Sequence, residues 1–192
     1  MEKYPFKHIP NFIETLNENG INLIKIIKQE IKFNYDTIEV LQHGKKVIVK
    51  EQRGTCWLSN KNLPFMYSGK IMIPLKIPKT ILDIKLKIEE EIKKEFDGVL
   101  VNYYPNGNIS MGYHSDPIED KWDNNFVILS LGDSRDFIFR EKLHKNNKIK
   151  FNFNNGDLIY MFDNCQELYQ HSVRKNKDSN AERISLVFKK SI

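Results

Sequence analysis

The chain has 192 residues, 40% of them hydrophobic and 11% aromatic, enough for one domain with a sizeable core and incompatible with wholesale disorder. A formal charge of +5 suits an anionic partner without singling one out. The two cysteines, Cys56 and Cys165, are far apart with no CxxC spacing, which excludes a disulfide framework and reads as two free thiols in a reducing compartment.

In chain order, the opening MEKYPFKHIP lacks the basic-then-apolar order of a signal peptide, and no run of about 18 apolar residues follows anywhere. The expectation is a soluble, monomeric intracellular protein of cytoplasm or nucleus with no membrane contact. The segment NFIETLNENGINLIKIIKQEIKF, residues 11 to 33, predicts a helix weakened at Gly20. EVLQHGKKVIVKEQRG then alternates like a hairpin, with Val47 and Val49 on one face and Lys46, Ile48 and Lys50 on the other. PKTILDIKLKIEEEIKKEFDG predicts a second helix, its stripe formed by Ile81, Ile84, Ile88, Ile92 and Phe96, with Pro78 before it and Gly98 after. Such a stripe should lie on a sheet.

From Val99 onward the pattern changes to short β-type runs, VLVNYY, ISMGYH, FVILSL, DFIFRE, KIKFNF, DLIYMF and ERISLVFK, separated by NG, GD and Asn-rich turns. This spacing predicts a sandwich, jelly roll or barrel in an α+β chain, with helices at the N-terminal side.

Chemistry enters at NYYPNGNISMGYHSD. Strand side chains two residues apart share a face, so His114 and Asp116 project together, and Pro117 stops the strand directly afterwards. Two histidines and a carboxylate on one side of an iron form the facial triad of non-haem Fe(II) oxygenases. Of the later histidines, His144 sits in the polar turn EKLHKNNK, whereas His171 follows an apolar run from which a return strand would carry it inward. The alternative is a solvated strand end bearing His and Asp by chance.

Support comes from the last run, where Arg183, Ser185, Val187 and Lys189 share one face and Ile184, Leu186 and Phe188 the other. If the apolar face packs on the helices, Arg183 points into the barrel, where a buried cation needs an anion. A dicarboxylate reaching from the iron to the planar guanidinium would satisfy both ends. An amphipathic edge strand with Arg183 in water is the competing interpretation.

With NYYPNG, HSD, His171, SLGDSRDFIFR and ERISLVFK in this order, the chain resembles the AlkB family of Fe(II)- and 2-oxoglutarate-dependent dioxygenases, and most of all its duplex-DNA repair branch. The likeness runs from about Gly54 to the C-terminus. It implies a double-stranded β-helix, or jelly-roll, core at about 76–192 within a single domain, preceded by an N-terminal extension and a β-hairpin nucleotide-recognition lid in about the first 75 residues. It implies His114, Asp116 and His171 as metal ligands, Arg183 on the distal carboxylate of 2-oxoglutarate with help from Tyr104, and Asn102 near the iron. Ser185 and Lys189 occupy co-substrate positions where the family carries Asn and a second Arg. After HSD, Ile118 stands where many relatives have a base-reading acid, leaving Glu119 as the substitute.

The activity so implied is oxidative demethylation of N-alkylated bases, such as 1-methyladenine or 3-methylcytosine, in DNA or RNA. Oxygen is the co-substrate; succinate, carbon dioxide and formaldehyde are released. A base inside a duplex must be flipped out, so backbone contacts are expected from Lys45, Lys46, Lys50 and Arg53, and from Arg174, Lys175 and Lys177 in the loop RKNKDSNAE. Leu41, Gln42 and His43 are candidate finger residues; Trp57, Tyr67 and the metal ligand His114 are candidate stacking partners for the base. The competing functions are a 2-oxoglutarate oxygenase acting on a protein side chain and a non-catalytic nucleic-acid-binding relative.

Overall fold

The computed structural model describes residues 4–15, 22–42, 44–67, 69–116 and 121–192, with Leu41, Gln42 and Tyr67 described in backbone only. In chain order the elements are β1 Phe6–Ile9, α1 Leu23–Glu30, β2 Thr37–Gln42, β3 Lys45–Lys50, β4 Gly54–Ser59, β5 Phe65–Tyr67, β6 Lys70–Met72 and α2 Lys79–Ile92. There follow β7 Gly98–Tyr104, β8 Met111–His114, β9 Trp122–Gly132, β10 Arg135–Glu141, β11 Lys148–Phe153, β12 Leu158–Met161, α3 Cys165–Leu168, β13 Tyr169–Val173 and β14 Arg183–Ser191.

Two sheets face each other as a jelly roll. The larger has the order β1-β12-β9-β14-β7-β4 and the smaller β11-β10-β13-β8. The last strand is central, paired antiparallel to β7 on one side and β9 on the other. That placement explains its alternation. Ile184, Leu186 and Phe188 are fully buried in a cluster with Ile27 of α1 and Ile81, Ile84 and Ile88 of α2, while Arg183, Ser185, Val187 and Lys189 face the other sheet. Each isoleucine buried on α2 contributes about 1.5–3 kcal/mol, so this helix is held mainly by its stripe.

Three expectations about elements need correction. The first helix covers only 23–30, not 11–33, because Asn22 caps it by accepting a hydrogen bond from the Ile24 N–H at 2.8 Å; Ile13 instead donates to the Gly156 carbonyl. The second helix stops at Ile92, where Lys93 turns left-handed (φ 57°), so Gly98 opens β7 instead of following the helix. Phe96 is still buried, its N–H donating to the Glu89 carboxylate at 2.6 Å. Finally, the first 75 residues are not all extension and lid: β1 and β4 form the two edges of the large sheet, so that segment contributes to the core.

The β2–β3 hairpin alternates as expected, with Val40 opposite Val47 and Gly44 (φ 77°) in its connection. It forms a separate two-stranded sheet, as does β5–β6. Both cysteines are buried and free; burial pushes the Cys56 thiol up to about 11 and that of Cys165 up to about 12. No helix among the described residues is long and apolar enough to cross a membrane.

Candidate metal centre and co-substrate cavity

Strand pairing brings the ligands together. In the β13–β8 register His171 stands opposite His114, with ring centroids 4.2 Å apart, and Asp116 follows just past the end of β8. Ligand atoms of His114, Asp116 and His171 all lie within 4.8 Å of one another. His114 Nδ1 is 2.9 Å from the Gly112 carbonyl, so the Nδ1 proton donates there and Nε2 keeps its lone pair for a metal. His171 is 4% exposed, and burial, reinforced by the neighbouring His114, pushes its imidazole down to about 3, leaving it neutral.

Burial alone would push the Asp116 carboxyl up, but the Lys189 ammonium and the two imidazoles outweigh it and hold the group well below the usual carboxylate range. Lys189 Nζ lies 3.1 Å from Asp116 Oδ2 and 4.3 Å from the centroid of the Phe126 ring. The Asp116 N–H donates to Gln166 Oε1 at 2.9 Å, and Gln166 is itself buried. Two imidazoles and one ionised carboxylate suit a divalent iron that keeps open positions. His144, by contrast, is exposed and lies 3.4 Å from Glu141.

At the other end of the site Arg183 is fully buried at the start of β14. Its Nε donates to Ser130 Oγ at 2.9 Å, whereas Nη1 and Nη2 have no hydrogen-bond partner among the described residues. Burial pushes this guanidinium down, offset in part by the Tyr104 phenol. Two buried amino nitrogens of a charged fork without acceptors are costly, and a carboxylate is the ligand that would pair with both. Register places Tyr104 opposite Arg183, and Asn102 opposite Ser185. Fe(II) and 2-oxoglutarate therefore fit the residues present.

A cavity of about 440 Å³ runs from the ligands to Tyr104, the ladder partner of Arg183. Its wall includes the three ligands, Asn102, Tyr104 and Ser185, together with Ile38 and Val40 of β2 and Met66 of β5. Arg183 is stacked on Tyr104, 5.0 Å from the ring centroid.

The remaining sequence candidates fall differently. Arg53 is not a surface contact for a nucleic-acid backbone: it is 8% exposed, lines the cavity, approaches Asn102 Oδ1 at 3.5 Å and lies 5.7 Å from the Tyr104 ring. Trp57 is not available for stacking on a base. It is 1% exposed, sandwiched against Phe65 and Trp122 with Nε1 donating to the Leu63 carbonyl at 2.8 Å, and a side chain on Gly98 would collide with its ring. Lys45, Lys46 and Lys50 are exposed, Lys46 paired with Glu39 at 2.8 Å; Arg174, Lys175 and Lys177 are exposed on the late loop. Glu119, Pro117, Ile118 and His43 lie outside the described residues, as do the side chains of Tyr67, Leu41 and Gln42. Gln166 and Ser130 support the site without an individual signal in the sequence, although Ser130 opens the SLGDSRDFIFR segment.

The chain matches the model of the 2OG-Fe(II) oxygenase superfamily over residues 5–189. It is 34% identical over 190 residues to the uncharacterized protein R406 of Acanthamoeba polyphaga mimivirus, covering 98% of this chain and 95% of that protein. It is 30% identical to the alpha-ketoglutarate-dependent dioxygenase alkB homolog 3 of Mus musculus over 74% of this chain and 53% of that protein, and so spans about half the length of that relative. The DNA oxidative demethylase ALKBH2 of Mus musculus is 24% identical over 88% of this chain and 73% of its own. In fold, the chain is similar to the solved structure of OsALKBH1, with a TM-score of 0.64 at 18% identity, covering 99% of this chain and all of that one.

Proposed function

The chain belongs to the AlkB family within the 2OG-Fe(II) oxygenase superfamily, with Fe(II) and 2-oxoglutarate as its cofactors, and on that premise we propose that it oxidatively demethylates N-alkylated bases in nucleic acid. The observation that carries this reading is a cavity lined by three convergent ligands and by Tyr104, the ladder partner of a buried guanidinium fork that lacks an acceptor among the described residues.

His114 Nε2, His171 and Asp116 would hold the iron. Bound there with 2-oxoglutarate and oxygen, it would supply the oxidant for hydroxylation of an N-methyl carbon, with succinate and carbon dioxide as the co-products. The hydroxymethyl product then divides into formaldehyde and the unmodified base. Lys189 keeps Asp116 ionised, and Gln166 fixes the backbone from which it projects. Arg183 would take the distal carboxylate, with Tyr104 beneath it and Ser130 holding the guanidinium in orientation. Asn102 and Ser185 face the same cavity and would orient the co-substrate.

On the substrate side the wall formed by Ile38, Val40 and Met66 offers apolar surface to a base removed from its stack. The exposed lysines of β3 and the basic loop at 174–177 supply charge for phosphates. The similarity to ALKBH2 of Mus musculus, a DNA oxidative demethylase, supports the same reading. The test is incubation with Fe(II), ascorbate, 2-oxoglutarate and single- or double-stranded oligonucleotides carrying 1-methyladenine or 3-methylcytosine. Loss of the methyl group by mass is expected; no change in mass for any of these substrates refutes the reading.

A further inference from the structure

Lys70 stands at the start of β6, outside the metal centre, yet its side chain is only 15% exposed and its ammonium touches three separate segments. It lies 2.8 Å from Asp36 Oδ2 and 3.1 Å from Thr55 Oγ1, and it pairs with Glu51 Oε2. Asp36 is the residue before β2 and Glu51 the residue after β3. The ammonium therefore sits at the root of the β2–β3 hairpin, where the two legs are also closed by the Glu51 N–H donating to the Asp36 carbonyl at 2.8 Å.

Neither hairpin shares a ladder with the two main sheets; backbone pairing to β4 is limited to bridges beside their roots, Asn34 with Thr55 and Leu75 with Leu58, and does not extend along the strands that face the cavity. Both nevertheless supply its wall: Ile38 and Val40 from one, Phe65 and Met66 from the other. Lys70 links them to each other and, through Thr55, to β4 of the large sheet. The Glu51 side chain is 1% exposed and its Oε1 has no partner among the described residues, so the cost of burying that carboxylate falls largely on the contact with Lys70. A buried ion pair is weak evidence for stability, and its best-attested use is to fix one arrangement.

We propose that Lys70 is a positioning residue that sets the substrate-side wall of the cavity, holding both hairpins where they close on a base, and that it acts on nucleic-acid binding and not on 2-oxoglutarate. This rests on the reading of the site as a nucleic-acid demethylase. No residue of the metal or co-substrate set is involved.

The test compares Lys70→Met, Lys70→Arg and the double variant Lys70→Met/Glu51→Gln, which removes both buried charges and leaves only the half-exposed Asp36 carboxylate without its ammonium. In the double variant, amide hydrogen exchange in β2 and β3 should quicken about tenfold or more, with α2 and β14 unchanged. The KM for a single-stranded methylated oligonucleotide should rise about fivefold or more, while the KM for 2-oxoglutarate and succinate release without nucleic acid stay at wild-type values. Lys70→Arg should restore both. Unchanged hairpin protection, or a parallel rise in both KM values, overturns the proposal. If the wild-type chain converts no methylated oligonucleotide, that failure belongs to the demethylase reading, and the exchange data alone uphold or overturn the clamp.

Discussion

Arg183 and Tyr104 are direct partners across the β7–β14 ladder, with the guanidinium 5.0 Å from the phenol ring centroid and two of its nitrogens lacking an acceptor among the described residues. If that fork takes the distal carboxylate, Arg183→Met should raise the KM for 2-oxoglutarate about thirtyfold or more, the effect of losing one side of a buried charge pair. Tyr104→Phe keeps the ring and loses at most one hydrogen bond, so its effect should be only about threefold. Steady-state succinate release, with circular dichroism to verify folding, checks both. An unchanged KM in folded Arg183→Met contradicts the assignment.

Gln166 reaches Asp116 through a single backbone hydrogen bond, and its own side chain is buried. Gln166→Ala should weaken metal binding about tenfold, in the range found when a group behind a ligand is lost. Titration with Co(II), followed by its visible absorption, measures this directly. His114→Ala and Asp116→Ala should remove the signal altogether.

Trp57 separates a core role from a substrate role. Trp57→Ala should cost about 3–5 kcal/mol of stability in urea unfolding, because it leaves a large void against Phe65 and Trp122. Trp57→Phe, which keeps most of the packing, should leave the KM for methylated oligonucleotides at the wild-type value. A selective rise in that KM would return Trp57 to the substrate site.

Asp97 ties the entrance of β7 to the end of β14. It accepts from the Ser191 N–H at 2.9 Å and from the Ser191 hydroxyl, with Lys61 at 3.0 Å and Lys190 at 3.5 Å. Burial pushes the carboxyl up, but Ser191 and Lys61 outweigh it and hold the group at about 2. Because the folded value lies below the unfolded one, its contribution is present above about pH 4 and lost as pH falls toward about 2. Allowing for solvent screening of the lysines, that contribution is about 1 kcal/mol. Urea unfolding of wild type and Asp97→Asn should differ by this amount at neutral pH and converge in acid; a gap that persists in acid contradicts the pairing.

How much of this was legible depends on the distance over which each placement is decided. His114 and Asp116 follow from strand alternation, as does the division of β14 into an Arg183 face and an Ile184 face, since a period of two leaves a half-buried strand one choice. Gln166 and Lys70 act over 50 and 34 residues of chain respectively, to partners outside any local pattern. Arg53 is misplaced by its charge: a cation beside a lysine-rich hairpin reads as exposed, but Asn102 and Tyr104 provide a polar, aromatic environment inside the cavity. Trp57 lies in β4, a six-residue strand buried on both faces, where no alternation distinguishes core from site. The short strands β1 and β13 are specified chiefly by the strands they join.

The most direct test of the central claim is the stoichiometry of a single reaction. Purified protein with Fe(II), oxygen and 2-oxoglutarate should release formaldehyde in equal amount to the methyl groups lost from a 1-methyladenine oligonucleotide, with succinate formed alongside, and Asp116→Ala should abolish all three. Succinate formation that no methylated nucleic acid stimulates, with the methyl group retained, would contradict it.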